Sequence, residues 1–170
     1  MKTKQQLRSH LKVERAAMPL SEVVEKSARI TVGVQAILDK LNFYSLHCYE
    51  PIVKLHEVDV SEILDTPDVA IYTSRKQEGE WQVVSVIDDR AKPDIRLDVI
   101  IVPMLGFDDH LHRLGYGGGY YDRLLANHPN ALRIGVCYES GHIDRLPAEL
   151  HDMPLAIIVT EDRVLIAASN

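Results

Sequence analysis

Six short apolar runs constrain the fold more than any other feature of the chain: SLHCY at 45–49, VAIYT at 69–73, WQVVSVI at 81–87, DVIIV at 98–102, RIGVCY at 133–138 and AIIVT at 156–160. Each has the length and β-branched content of a strand, and a last one, VLIAA at 164–168, is placed to pair antiparallel with its predecessor through the TEDR turn. Runs such as VIIV are apolar on both faces, which suits a parallel sheet covered by helices on each side. Helical candidates lie between the runs, VSEIL at 60–64 and YDRLLANH at 121–128. The pattern predicts an α/β fold of three layers, with a mostly parallel central sheet flanked by helices.

Two longer helices precede the strands. Residues 3–17 carry Leu7 and Leu11 at i, i+4 with no Gly or Pro in the interior, and Pro19 follows the expected end. Lys4 and Arg8 then share one helix face. A second helix is expected from a Ser21 cap to about Leu41, with Glu22 at the positive end of its dipole and an apolar stripe of Val24, Ala28, Ile37, Leu38 and Leu41.

A chain of 170 residues, 46% hydrophobic and 26% charged, is expected to form a single domain over 1–170 and to bury a core without disulfide or metal staples. The net charge of -6 argues against a general nucleic-acid or anionic-membrane binder, so an anionic ligand has to be gripped locally. The opening MKTKQQLRSHLKVER has no apolar run behind its basic residues, and no segment approaches the roughly 18 to 20 residues of a membrane span. A cytoplasmic location is expected. Cys48 and Cys137 are isolated and read as buried, reduced thiols.

The stretch RLGYGGGYYD at 113–122 crowds four glycines between an arginine and an aspartate. It follows the strand that ends at Pro103 and runs into the helix beginning near Tyr120, the kind of place where open α/β sheets bind ligands. Main-chain amides without Cβ atoms can close around phosphate oxygens, aided by the helix dipole. Arg113 offers a fixed fork of donors, and Asp122 on the first helical turn suits a Mg²⁺ that bridges phosphates. A dinucleotide fingerprint from Gly115 would need glycine at position 120, where Tyr120 stands, and no G-x-x-x-x-G-K-[ST] occurs. On spacing alone, a phosphate cradle, a mobile loop and a tight helix-to-sheet packing site all stay open.

The run IIVPMLGFDDHLHRLGYGGGYYDRLL, followed by RIGVCYE and LPAELHDMPLAIIVTED, resembles the 5-formyltetrahydrofolate cyclo-ligase family over most of residues 98–162, and KQQLR at 4–8 resembles its N-terminus. The resemblance implies an ATP- and Mg²⁺-dependent closure of 5-formyltetrahydrofolate to 5,10-methenyltetrahydrofolate through a phosphorylated formyl group, an iminium phosphate, with release of ADP and phosphate. By the same resemblance Lys4, Arg8, Arg113, Leu114, Gly115, Tyr116, Gly117, Gly118, Gly119, Tyr120 and Tyr121 bind ATP, with Arg113 and Tyr120 as catalytic candidates. Tyr116 to Tyr120 also border the folate, together with Ile52 and Glu57, whose carboxylate suits the pterin's 2-amino and N3–H donors. Asp122 and Asp152 are the implied metal positions. Reduced folate and ATP are thus the implied partners, without nucleic acid or membrane, and the protein is expected to be a monomer or weak homo-oligomer.

The chain departs from the family pattern in two places: Leu111 stands where a glycine is usual, and Gly118 replaces a basic residue that some members carry. Residues 66–95 show no recognisable match. His110 and His112 lack a third ligand at zinc spacing and read as polar loop residues. Trp81 reads as a sheet-core residue, with a place over a bound ring as the alternative. No nucleophile-elbow spacing supports a hydrolase triad. Two other functions fit a related α/β scaffold: a non-catalytic nucleotide or folate binder, and a phosphosugar isomerase or acyl transferase.

Overall fold

A computed structural model describes residues 2–91, 94–147 and 153–168. Helix α1 (Lys4–Ala17) opens on a reciprocal cap: the Gln6 amide donates to Thr3 Oγ1 at 3.2 Å and the Thr3 amide donates to Gln6 Oε1 at 2.9 Å. Its buried face is Leu7, Leu11 and Arg15, one residue per turn.

Helix α2 (Leu20–Leu38) corrects the expectation for its start and its buried stripe. Pro19, not Ser21, is the cap, and its carbonyl already accepts the amides of Glu22 and Val23 at 3.0 Å, so the ladder starts earlier. The buried residues are Val23, Ser27, Ile30, Thr31, Val34 and Leu38, whereas Val24 is 68% exposed and Leu41 lies beyond the helix end. The sequence carries two apolar stripes, and the one bearing Ser27 and Thr31 packs inward because both hydroxyls find partners there. Ser27 Oγ accepts the Asp59 amide at 3.0 Å, and Thr31 donates to the Asp59 carbonyl at 3.1 Å.

The strands are β1 (Ser45–His47), β2 (Ala70–Gln77), β3 (Glu80–Ser85), β4 (Val99–Pro103), β5 (Gly106–Phe107), β6 (Arg113–Leu114), β7 (Leu132–Val136), β8 (Ile157–Val159) and β9 (Val164–Ile166), with α3 at Tyr120–Asn127. Seven form one sheet in the order β3-β2-β1-β4-β7-β8-β9, and β5 pairs with β6 separately. The five inner strands run parallel and the edges β3 and β9 antiparallel, as a mostly parallel α/β sheet requires. Alternate residues of β4 point to opposite cores: Val99 and Ile101 pack with Ile30, Val34 and Leu38 of α2, while Ile100 and Val102 pack with Leu124 and Leu125 of α3. α1 covers a third cluster with Leu105, Leu114 and Leu146.

Residues 66–95, which show no recognisable match to the family pattern, hold the β2–β3 hairpin, in the place of the runs read as strands at 69–73 and 81–87. Its two-residue loop is Glu78–Gly79, both at positive φ (51° and 90°), the conformation that matches the twist of the flanking strands. The candidate at 60–64 is a short 3-10 helix, Ser61–Asp65. No helix of the described residues is long and apolar enough to cross a membrane.

Leu111 sits in left-handed backbone, φ 61°, where the family pattern favours glycine. Asp108 holds it there. Fully buried, its Oδ1 accepts the amides of His110 and His112 at 3.0 and 3.1 Å, and its Oδ2 accepts the Leu146 amide at 3.0 Å and meets His112 Nδ1 at 3.1 Å. Burial pushes the Asp108 carboxyl up, but these donors outweigh it and hold the group below its ordinary value. Leu111→Gly is expected to lower stability by roughly 1–3 kcal/mol, because relief of the backbone returns about 1–2 kcal/mol while a buried leucine side chain contributes roughly 2–5. Chemical denaturation measures this, and a variant at least as stable as the parent would mean that backbone strain dominates.

Candidate active site

β1 lies between β2 and β4, so the chain leaves β1 toward one side of the sheet and later returns on the other. At such a switch the loops beyond the carboxyl ends diverge and leave a crevice. A cavity of about 910 Å³ occupies it, walled by Tyr49 to Ile52 after β1, Pro103 at the end of β4, the glycine stretch, α1 and the β2–β3 hairpin. Five cations (Lys4, Arg8, Arg75, Lys76, Arg113) and three carboxylates (Glu50, Glu57, Asp122) line it, so an acidic chain presents a locally basic site.

Glycines shape the near wall. Gly117 (φ 102°) and Gly119 (φ 65°) occupy left-handed backbone, and a Cβ on Gly117 would meet the Arg8 guanidinium at 3.5 Å. Arg8 Nε donates to the Gly115 carbonyl at 2.9 Å, which ties α1 to the loop. Gly119 is the N-cap of α3, and no side chain among the described residues caps that helix, so its first amides remain available to an anion.

Arg113, from β6, is held at both ends of its fork. Nη1 donates to the Met153 carbonyl at 3.0 Å, and Nη2 is paired with Asp122. The proposed phosphate cation and the proposed metal ligand therefore touch each other. Asp152 lies outside the described residues. Leu114 is the one nucleotide-site candidate not brought to the cavity: it is 1% exposed in the α1 cluster, and its carbonyl accepts the Leu105 amide at 2.8 Å.

Glu57 is 6% exposed and forms part of the cavity wall. Its Oε2 accepts the Ile52 amide at 2.7 Å, which fixes the carboxylate and turns half-exposed Ile52 to the cavity. The Tyr116 hydroxyl lies beside Glu57, and burial above all raises its pKa. Behind Tyr116 stands Arg15, which the sequence reading passed over. Its Nη1 donates to Tyr116 Oη at 2.9 Å, its Nη2 donates to the Met104 carbonyl at 2.6 Å, and the guanidinium lies 5.4 Å from the Tyr138 ring. The available signal was its register with Leu7 and Leu11, an arginine on an otherwise apolar stripe.

Trp81 corrects the sheet-core reading. It is 53% exposed on an edge strand, tilted against Tyr120 with ring centroids 5.7 Å apart, and forms part of the cavity wall. The hairpin also supplies Ser74, Arg75 and Lys76, none of which carried a motif. Arg75 bridges Glu50 at 2.6 Å and Asp89 at 2.8 Å. Beneath the cavity floor, His47 is fully buried, and desolvation, with a smaller contribution from His128, pushes its pKa down to about 3.

The sequence profile of the 5-formyltetrahydrofolate cyclo-ligase family matches residues 32–161. The chain belongs to this family. It is 42% identical over 74 residues to the 5-formyltetrahydrofolate cyclo-ligase of Escherichia coli strain K12, covering 42% of this chain and 41% of that protein. The cyclo-ligase of Haemophilus influenzae is 28% identical over 130 residues, covering 73% and 66% respectively. These matches span from about two-fifths to just under two-thirds of the relatives' own length. Two solved structures share the cyclo-ligase fold. A 5,10-methenyltetrahydrofolate synthetase from Mycoplasma pneumoniae superposes with a TM-score of 0.82 at 25% identity, covering 94% of this chain and 99% of that one. One from Aquifex aeolicus gives 0.80 at 25% identity, covering 98% and 94%. Lys4 and Arg8 precede the cyclo-ligase profile match, and it is the packing of α1 that brings them to the cavity.

The buried His47 makes stability depend on pH. An unfolded chain takes up this proton near pH 6.5, while the folded chain refuses it until about 3. Protons therefore favour unfolding, and stability is expected to fall by about 1.4 kcal/mol per pH unit from this group as pH drops below 6.5. Asp98 and Asp108, both held below 3.8, add their loss only at more acidic pH. His128 shifts in the same direction as His47, so the measurement is a comparison of urea midpoints for parent and His47→Gln between pH 7 and 4. The variant should show the shallower slope; parallel slopes would mean that the imidazole is reached by water.

Proposed function

We propose that this chain is a cytoplasmic enzyme, a monomer or weak homo-oligomer, that closes 5-formyltetrahydrofolate to 5,10-methenyltetrahydrofolate with MgATP, releasing ADP and phosphate. The observation that carries the reading is a single cavity in which a glycine arc, an uncapped helix start and basic residues of α1 lie beside a buried, oriented glutamate. One side suits a phosphate tail and the other a flat donor-bearing ring.

Lys4, Arg8, Arg113 and the main chain of Gly115 to Tyr121 would hold the triphosphate. Glu57 would accept from the pterin's 2-amino and N3–H groups, with Ile52, Trp81 and Tyr120 as apolar and aromatic walls. Mg²⁺ takes oxygen ligands, usually one or two carboxylates with phosphate and water. Asp122 fits that pattern, with Asp152 as the second acidic position, and no cluster of three or more metal-ligating side chains occurs among the described residues. The ion would supply neutralisation of phosphate charge.

The chemistry asks the protein mainly for position and charge. The formyl oxygen takes the γ-phosphoryl group as the P–O bond to ADP breaks. N10 then attacks the formyl carbon and loses its proton, and phosphate departs with the C–O bond. Arg113 neutralises the transferring group, and its bond to the Met153 carbonyl keeps the guanidinium from following the phosphate.

Purified protein given 5-formyltetrahydrofolate and MgATP should develop the near-ultraviolet absorbance of the methenyl product; folded protein without signal rejects the activity. Arg113→Ala should lower kcat/KM about 10²-fold, the scale of one lost charge-stabilising donor, with an unchanged circular dichroism spectrum. Parent-like kinetics would remove Arg113 from the site.

A further inference from the structure

We propose that His47 and Ser74 form a hydrogen-bond relay that fixes the Tyr120 hydroxyl as a donor to an acceptor oxygen in the cavity. The relay crosses three elements: His47 on β1, Ser74 on β2 and Tyr120 at the first position of α3. His47 Nε2 lies 2.6 Å from Ser74 Oγ, and Ser74 Oγ is hydrogen-bonded to Tyr120 Oη. Ser74 and Tyr120 line the cavity, whereas His47 is 0% exposed behind them, edge-on to the Tyr121 ring.

The direction of the relay follows from the far side of the imidazole. His47 Nδ1 has no hydrogen-bond partner of regular geometry among the described residues, and the residue's own carbonyl acts on the ring only as the smallest of the contributions to its pKa. A neutral ring carries one N–H. Placed on Nδ1 it would be a buried donor without an acceptor, which folded proteins avoid more strictly than an unused acceptor. The proton therefore sits on Nε2 and is donated to Ser74 Oγ. The Ser74 hydroxyl hydrogen is then left for the Tyr120 oxygen, and the Tyr120 hydrogen is left for the cavity. His47 and Ser74 are positioning residues, and Tyr120 is the group that meets the ligand.

The identity of the acceptor rests on the proposed function: it is the formyl oxygen of the folate or a phosphoryl oxygen of the nucleotide. The tautomer does not rest on it. Nitrogen-15 spectra of the full-length protein with labelled histidine are expected to show His47 protonated at Nε2 and bare at Nδ1, and the opposite tautomer overturns the relay.

In steady-state turnover, Ser74→Ala and Tyr120→Phe should each lower kcat/KM about 3- to 10-fold, the scale of one neutral hydrogen bond. The double variant should be no slower than Tyr120→Phe alone. His47→Leu should match Ser74→Ala, and His47→Gln, whose amide can replace the Nε2 donor, should restore most of that loss. The substrate whose KM rises carries the acceptor. Ser74→Ala with parental kinetics, or losses that multiply in the double variant, overturn the relay. A parent protein without turnover would reject the proposed function, and the tautomer measurement would still decide the relay.

Discussion

The site depends on a strand of three residues. β1 is buried along its whole length and pairs in parallel on both sides, with β2 at Ser45 to His47 and with β4 at Leu46 and His47. Because its two neighbours are reached by connections that run to opposite sides of the sheet, the segments leaving β1 and β4 diverge. The start of β1 is fastened by Asp98, whose Oδ2 accepts the amides of Tyr44 and Ser45 at 2.9 and 3.1 Å and the Ser45 hydroxyl at 3.0 Å. So short a strand has little register of its own, and these bonds supply it.

Around that crevice the chain reverses its overall electrostatic character. The net charge is -6, yet cations outnumber carboxylates on the cavity wall. Helix α1 is held in place by hydrogen bonds that also shape the site: Arg8 to the Gly115 carbonyl, and Arg15 to Tyr116 and the Met104 carbonyl. A buried guanidinium is tolerable only where its donors are satisfied, so Arg15 orders the loop as a condition of its own burial. Position of the basic residues and conformation of the glycine arc are thus one property.

Much of the fold was legible because periodicity and burial report the same physics. Leu7 and Leu11 announced the buried face of α1, and VIIV announced a strand with cores on both sides. Of the α2 stripe only its end was legible, where Leu38 is buried and Ile37 packs beside it. The first half was not, since Val24 and Ala28 are as apolar as the residues that pack, and partners for Ser27 and Thr31 exist only once Asp59 is in place. Leu111 read as a departure from a glycine position; the turn survives because Asp108, to which the sequence assigned no role, collects the donors that hold the backbone there. Trp81 was ambiguous for a related reason. Whether an aromatic residue of an edge strand faces a helix or a cavity depends on where that helix stops.

Sequence alone determined the alternation of strands and helices and the glycine stretch between Arg113 and Asp122, because local conformation and backbone freedom are set by side chains near in the chain. It also placed Lys4 and Arg8 on one helix face. Tertiary structure alone decided that α1, the 50–57 segment, the glycine arc and the β2–β3 hairpin surround one cavity. It also decided that Arg113 leans on Asp122, and that His47, Ser74 and Tyr120 form a chain across three elements. The Arg113–Asp122 contact spans only nine positions but depends on how β6 and α3 are set against each other. The relay joins residues 27 and 46 positions apart, and no spacing rule reaches across a sheet crossover.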